Sequence, residues 1–110
     1  MKLLIVGSRN ITNVDLEKYV PKDASIIISG GAKGVDTLAE SYADKKGISK
    51  LIMRPKYNLY GKGAPLKRNL EMVEIADQIL VFWDGKSKGT KFTIDTAKKL
   101  DKSLTVIIIE

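Results

Sequence analysis

The sequence contains no cysteine and no histidine. The absence of cysteine excludes a disulfide framework, a cysteine-bound zinc site and a thiol nucleophile. The absence of histidine removes the commonest general base near neutral pH and the commonest metal ligand, so Ser-His-Asp and Cys-His mechanisms are excluded. An enzyme of this composition would have to use carboxylates, tyrosines, lysines or a bound water. No cluster of carboxylates suggests a metal cage, and we expect neither a metal nor another cofactor.

Long hydrophobic runs are also missing. The apolar run within Met1–Gly7 is too short for a signal peptide, and no run approaches the length of a transmembrane helix. We therefore expect a cytoplasmic protein without membrane contact, and a chain of 110 residues predicts a single domain, 1–110. The 19 basic and 13 acidic residues give a net charge of +6, which favours an anionic partner such as a nucleotide or nucleic acid.

Strand and helix patterns alternate along the chain. Apolar runs predict strands at Lys2–Val6, Ser25–Ser29, Lys50–Met53, Gln78–Trp83 and Leu104–Ile109. Helices are predicted from Thr12 or Asn13 to Tyr19, over Gly34–Lys46, from Pro65 onward and over Thr90–Leu100, with a polar loop at Lys56–Ala64. This alternation indicates an α/β fold, a three-layer doubly wound parallel sheet of order 3-2-1-4-5. Ligands of such sheets bind beside strands 1 and 4, where the winding direction changes.

A glycine-rich turn, Ser29–Asp36, follows the second predicted strand and opens a helix. Gly30, Gly31 and Gly34 can adopt positive φ and allow a ligand to approach the backbone. The N–H groups and dipole of the new helix favour an anion, and Lys33 adds a cation. The turn therefore predicts a phosphate site, and the alternative is a tight turn that binds nothing.

The loops at the carboxyl edge of the predicted sheet carry most of the loop cations. They are Arg9, Lys33, Arg54, Lys56, Lys62, Lys86 and Lys88. Asp84 is the only acid of these loops, and Asp36 lies just inside its helix. Because the opposite edge is mixed in charge, this asymmetry strengthens the prediction of an anion site.

Other residues near this edge have both functional and structural explanations. Ser8 and Arg9 suit a phosphate or ribose, but also a turn hydrogen bond and a solvated arginine. Gly89 and Thr90 suit a second anion nest, but Thr90 would also serve as a helix cap. Asp36 and Asp84 suit a ribose hydroxyl or acid–base chemistry, although an acid in a first helical turn often only complements the dipole. Tyr57 and Tyr60 could stack on a base, whereas packing explains Trp83 better.

Familiar nucleotide signatures are absent. Gly7-Ser8-Arg9-Asn10 differs from the dinucleotide fingerprint G-x-G-x-x-G, which argues against NAD or FAD. The sequence has no P-loop pattern G-x-x-x-x-G-K-[ST], which argues against NTP hydrolysis of that type.

The combination of Gly7-Ser8-Arg9, Ser29–Asp36 and Gly89-Thr90, each after a predicted strand, resembles the SLOG superfamily. That group includes the DprA/Smf DNA-processing proteins and the LOG cytokinin-activating phosphoribohydrolases. The likeness is greatest to its small single-domain branch, the YspA/YpsA-related proteins, whose Gly-x-x-x-Pro-x-Arg-Asn-x-x-Met element corresponds to Gly61–Met72 with a shifted glycine. The resemblance implies a Rossmann-like fold, a cleft for a nucleotide-like molecule, cleft positions for Arg68 and Asn69, and a homodimer.

Two departures limit what the resemblance implies. LOG enzymes carry Gly-Gly-x-Gly-Thr-x-x-Glu with a catalytic glutamate, and Thr93 stands at that position here. The likeness to DprA covers only its nucleic-acid-binding Rossmann core.

Three hypotheses follow. The first is a nucleotide-binding sensor or sequestering module. Its predicted ligand residues are Gly7, Ser8, Arg9, Gly30, Gly31, Lys33, Gly34, Asp36, Arg68, Asn69, Gly89 and Thr90. The second is a nucleotide N-glycosidic-bond hydrolase with Asp36 or Asp84 as the acid or base. The third is single-stranded DNA binding along the basic edge.

Overall fold

The protein is a five-stranded parallel sheet covered on both faces, in a computed structural model that describes residues 1–109. The strands are β1 (Lys2–Gly7), β2 (Ile26–Ser29), β3 (Ser49–Ile52), β4 (Gln78–Trp83) and β5 (Ser103–Ile108). The helices are α1 (Val35–Lys46), α2 (Tyr57–Tyr60), α3 (Ala64–Ile75) and α4 (Lys88–Lys99). The strand order β3-β2-β1-β4-β5 confirms the doubly wound fold predicted from the sequence.

The core has one layer on each face of the sheet, because neighbouring residues of a strand point to opposite faces. In β1, Leu3 and Ile5 face α1, whereas Leu4 and Val6 face α3 and α4. Val35, Ala39 and Ala43 of α1 complete the first layer. Met72, Val73, Ile94 and Ala97 of α3 and α4 complete the second. This arrangement brings the carboxyl ends of β1, β2 and β4 to one edge, close to the first turns of the helices.

The helix predicted from Thr12 or Asn13 to Tyr19 is wrong. The structure has only a single 3₁₀ turn there, Leu16–Lys18. Ile11 and Leu16 are both buried against the sheet, although residues five apart point in different directions on a helix. An irregular segment satisfies both contacts, and the β-branched and asparagine residues that precede Leu16 favour a helix little.

The polar loop predicted at Lys56–Ala64 is largely wrong as well. It contains the short helix α2 and a 3₁₀ turn, Gly61–Gly63, which leads directly into α3. The N–H groups of Leu59 and Tyr60 both donate to the carbonyl of Lys56, at 3.0 Å. At the other end of the chain, α4 begins at Lys88 rather than Thr90, so Gly89 and Thr90 lie inside its first turn.

No helix within residues 1–109 is both long enough and apolar enough to cross a membrane.

Candidate functional site

A cavity of about 410 Å³ opens at the carboxyl edge of the sheet, beside the ends of β1 and β4. Its walls come from the segments after β1 and β4 and from α1, α3 and α4. Of the predicted site residues, those that line it are Gly7, Arg9, Asp36, Arg68, Asn69, Asp84, Gly89 and Thr90. Four segments that are far apart in sequence therefore meet at the position where ligands of doubly wound sheets bind.

The remaining predicted residues lie behind or beside this wall. Ser8 is buried, and its Oγ accepts a hydrogen bond from the N–H of Asp84 at 3.1 Å. Its own N–H donates to the carbonyl of Phe82 at 3.1 Å. Ser8 thus ties the end of β1 to the end of β4. Lys33 is exposed on the turn.

Two glycines allow α1 to begin against the end of β1. Gly34 has φ +77°, and a Cβ there would lie 2.5 Å from the carbonyl oxygen of Arg9. A Cβ at Gly7 would meet the side chain of Val35 and lie 2.5 Å from the carbonyl oxygen of Phe82. These two positions need glycine because backbones approach closely, whether or not a ligand is bound.

The glycine-rich turn after β2 is closed by side chains of this same region. The Asp36 carboxylate accepts from the N–H of Ala32 at 3.1 Å, and Ser29 Oγ accepts from the N–H of Gly31 at 3.2 Å. Ser29 in turn donates to Glu40 Oε2 at 2.8 Å. Two of the N–H groups that the sequence assigned to a phosphate therefore already have acceptors.

Asp36 is buried at the base of the cavity, with 6% of its surface exposed. Burial raises the pKa of its carboxyl above the ordinary value, while the N–H of Ala32 and the charge of Arg68 oppose that rise. The group is therefore easier to protonate than a surface aspartate.

Arg68 is a half-buried cation held in one place by backbone carbonyls. Its Nη1 donates to the carbonyls of Gly30 at 2.5 Å and Met53 at 3.3 Å, and its Nε donates to Asn69 Oδ1 at 2.7 Å. Burial lowers the pKa of Arg68 and the nearby Asp36 opposes this, but an arginine stays charged at neutral pH. Arg68 therefore joins α3 to the ends of β2 and β3 as a fixed positive wall.

The first turn of α4 presents open backbone to the cavity. Ser87 precedes the helix without a side-chain capping bond, and the first N–H groups of a helix have no acceptor within it. A Cβ at Gly89 would meet no heavy atom within 4 Å, whereas a Cβ at Gly34 would meet the backbone of Arg9. This turn can accept an anion without displacing part of the protein.

Asp84 shapes the loop that leads into α4. One of its carboxylate oxygens accepts from the N–H groups of Lys86 at 2.9 Å and Ser87 at 2.8 Å. These hydrogen bonds hold the pKa of Asp84 below its ordinary value. Trp83 supports the same loop, because its Nε1 donates to the carbonyl of Ser87 at 3.1 Å.

Sequence reasoning missed several residues that line the cavity: Asn10, Ala32, Pro65, Leu66, Met72, Ser87 and Thr93. Asn10 directly follows Gly7-Ser8-Arg9, and Ser87 directly precedes α4, so their positions in the chain could have indicated them. Met72 and Thr93 are buried where α3 and α4 meet the sheet. Both stand at motif positions of the SLOG resemblance, which could have indicated them.

The charge of the cavity is more balanced than the loop sequences suggest. Two arginines, Arg9 and Arg68, line it together with the two acids Asp36 and Asp84. Lys33, Lys56 and Lys86 are exposed on the surrounding surface. The cavity therefore suits a ligand with both anionic groups and hydroxyl or amino donors.

No protein-family model matches the sequence. The chain is similar to the Gene 61 protein of Mycobacterium phage D29, with 32% identity over 80 residues. The aligned region covers 67% of this chain and 64% of the phage protein, so the chain spans slightly less than two thirds of that relative's length.

Proposed function

We propose that the protein binds a nucleotide or a nucleotide-derived phosphate ligand in the cavity at the carboxyl edge. One observation carries the proposal: the uncapped first turn of α4 opens onto the same cavity as Arg9 and Arg68. A volume of about 410 Å³ lies within the usual range for small-molecule sites, roughly 300–1,000 Å³. The protein would act in the cytoplasm as a sensor or a sequestering module.

Each wall has a role in this proposal. The N–H groups at the start of α4, near Gly89 and Thr90, would bind the phosphate, and Arg9 would add a solvent-facing cation. Asp36 would accept from a ribose hydroxyl, and Arg68 with Asn69 would form the side of the cleft. Membership of the SLOG superfamily is part of the same proposal, supported by the convergence of its motif residues on one cavity. A homodimer stays a prediction from that resemblance.

The experiment is native mass spectrometry of freshly purified protein, followed by calorimetry with a panel of nucleoside monophosphates and diphosphates. We expect a co-purified or added nucleotide to bind, and the melting temperature to rise with its concentration. Arg9→Gln should weaken binding. Lys33→Gln is the matched control, because it removes the same charge from the same edge outside the cavity and should leave the affinity nearly unchanged.

Two results would count against this function. The first is a panel in which no nucleotide binds or raises the melting temperature. The second is an equal loss of affinity in Arg9→Gln and Lys33→Gln, since diffuse attraction by the whole basic edge would instead support single-stranded DNA binding. In that case, oligonucleotide affinity should fall steeply with salt.

The opposite pKa shifts of Asp36 and Asp84 favour a second candidate, hydrolysis of a nucleotide N-glycosidic bond. Two carboxyls in one cavity whose pKa values are pushed apart are typical of a general acid and its partner base. Asp36 would protonate the leaving base and Asp84 would activate a water. Release of free base from a nucleoside monophosphate tests this activity, and an unchanged rate in Asp36→Asn would remove Asp36 from the mechanism.

A further inference from the structure

We propose that a second cavity, next to the first, binds the heterocyclic base of the ligand and selects bases that carry an exocyclic amino group. This inference rests on the proposed nucleotide function, and it adds the part of the molecule that gives specificity. The second cavity has a volume of about 210 Å³ and lies between the end of β3, α2 and the start of α3. The second cavity has about half the volume of the main cavity, which suits one ring system rather than a whole nucleotide.

Arg68 lines both cavities, so a single ligand can reach from one into the other. Its guanidinium group is held by the carbonyls of Gly30 and Met53, with Asn69 on the side of the main cavity. A planar, fixed guanidinium is a surface on which a base can stack. The phosphate at α4 and the base beyond Arg68 would then lie on opposite sides of this one residue.

The other walls also suit a flat heterocycle. Ile52, Met53 and Ala64 are apolar, Tyr60 adds an aromatic ring, and the cations Arg54 and Lys56 complete the lining. The ammonium group of Lys67 lies 5.7 Å from the centre of the Tyr60 ring, which helps to hold the ring in place. Tyr60 keeps 46% of its surface exposed, and a bound base would cover part of that apolar area.

Glu71 supplies the specificity. It lines the second cavity from α3, and none of the ion pairs formed within residues 1–109 includes it. A carboxylate accepts hydrogen bonds from amino groups of bases and repels both phosphate and carbonyl oxygens. Glu71 is the only carboxylate in this lining, beside the cations Arg54, Lys56 and Arg68, so it is the group positioned to accept from an amino-bearing base.

The cleanest test compares AMP with IMP, because adenine offers an amino group where hypoxanthine offers a carbonyl oxygen. Titration calorimetry of the wild-type protein should show that AMP binds about tenfold more tightly than IMP. Glu71→Gln should bring the two affinities to within about threefold, since an amide can donate to the carbonyl of hypoxanthine. Glu74→Gln, an exposed glutamate on the same helix, is the matched control and should preserve the preference.

Tyr60 gives an independent readout. Tyr60→Phe should bind AMP like the wild type, whereas Tyr60→Ala should bind AMP about tenfold more weakly because the stacking is lost. The affinity for ribose 5-phosphate should be equal in all three proteins, because it has no base.

The outcomes separate this inference from the function it depends on. If no nucleotide of the panel binds, and ribose 5-phosphate does not bind either, the proposed function fails. If AMP binds but the protein has equal affinities for AMP and IMP, the base assignment is overturned and the function stands. The same holds if Tyr60→Ala binds AMP with wild-type affinity. An equal gain for AMP, IMP and ribose 5-phosphate in Glu71→Gln would show that the second cavity takes phosphate, which also overturns it.

Discussion

Replacing Gly89 with alanine should separate the stability of α4 from its role in binding. Gly89 is the second residue of the helix, its φ is not positive, and a Cβ there would meet no heavy atom within 4 Å. Alanine is about 1 kcal/mol more favourable than glycine inside a helix. We expect roughly half of that here, about 0.5 kcal/mol in the free energy of unfolding, because the first turn forms few of the helical hydrogen bonds.

The same methyl group should weaken the binding of the ligand. Gly89 lines the main cavity, and a phosphate oxygen that accepts from a backbone N–H approaches to about 2.9 Å. A side chain beside that N–H hinders the approach, so we expect the Kd of the nucleotide to rise at least about tenfold, or about 1.4 kcal/mol. Urea denaturation measures the first effect and calorimetry the second.

Gly63→Ala is the matched control for this prediction. A Cβ at Gly63 would also meet no heavy atom within 4 Å, and Gly63 has φ −82°. Gly63 stands at the start of α3 and lines neither cavity. Its variant should change stability by less than about 0.5 kcal/mol and leave the Kd unchanged. A folded Gly89→Ala protein with wild-type affinity would refute the placement of the phosphate at α4, and a clear loss of stability would refute the reasoning about open space.

Three further predictions concern the scaffold of the site. Gly34→Ala should lower the free energy of unfolding by at least about 2 kcal/mol in urea denaturation, because it forces a Cβ against the Arg9 carbonyl at positive φ; a loss below about 0.5 kcal/mol would contradict this. Ser8→Ala should cost about 1 kcal/mol in the same assay, since it removes the acceptor of the Asp84 N–H, and a neutral effect would show that water replaces it. For Asp36, whose folded pKa is raised, ionisation penalises the folded state at neutral pH and protonation relieves that penalty as the pH falls towards the ordinary value. The stability of Asp36→Asn relative to wild type should therefore decline between pH 7 and about pH 4 in denaturant titrations, and a constant difference would contradict the pKa direction.

The covered parallel sheet could be predicted from the sequence because its central strands are apolar on both sides. In β1 the four consecutive residues Leu3 to Val6 are all buried, which only a sheet covered on both faces allows. The connection between β1 and β2 could not be predicted in this way. Its shape is set by where Ile11 and Leu16 meet the sheet, and local propensity says nothing about that contact.

The residues around the cavity also fall into those that the sequence could place and those that it could not. Gly7, Asn69 and Gly89 belong to recognisable motifs, and the sequence places them at the right edge. The structural role of Ser8 could not be assigned from the sequence, because its hydroxyl accepts a hydrogen bond from the backbone of a residue 76 positions away. Thr93 lines the cavity only because α4 packs as it does, and its Oγ1 donates to the carbonyl of Gly89 at 3.3 Å.

The glycine-rich turn after β2 and the first turn of α4 look alike in sequence, and they differ in which backbone groups are free. A phosphate that bound the turn after β2 would have to displace the Asp36 carboxylate from the N–H of Ala32, and the displaced carboxylate would then lie beside the phosphate. A phosphate at α4 displaces no side chain, because Asp84 bonds to the N–H groups of Lys86 and Ser87 just before the helix and not to those inside it. Since a buried anion is costly unless donors satisfy it, the ligand should choose the turn whose donors are free. We therefore expect the more conspicuous glycine motif to shape the cavity and the less conspicuous one to bind the phosphate.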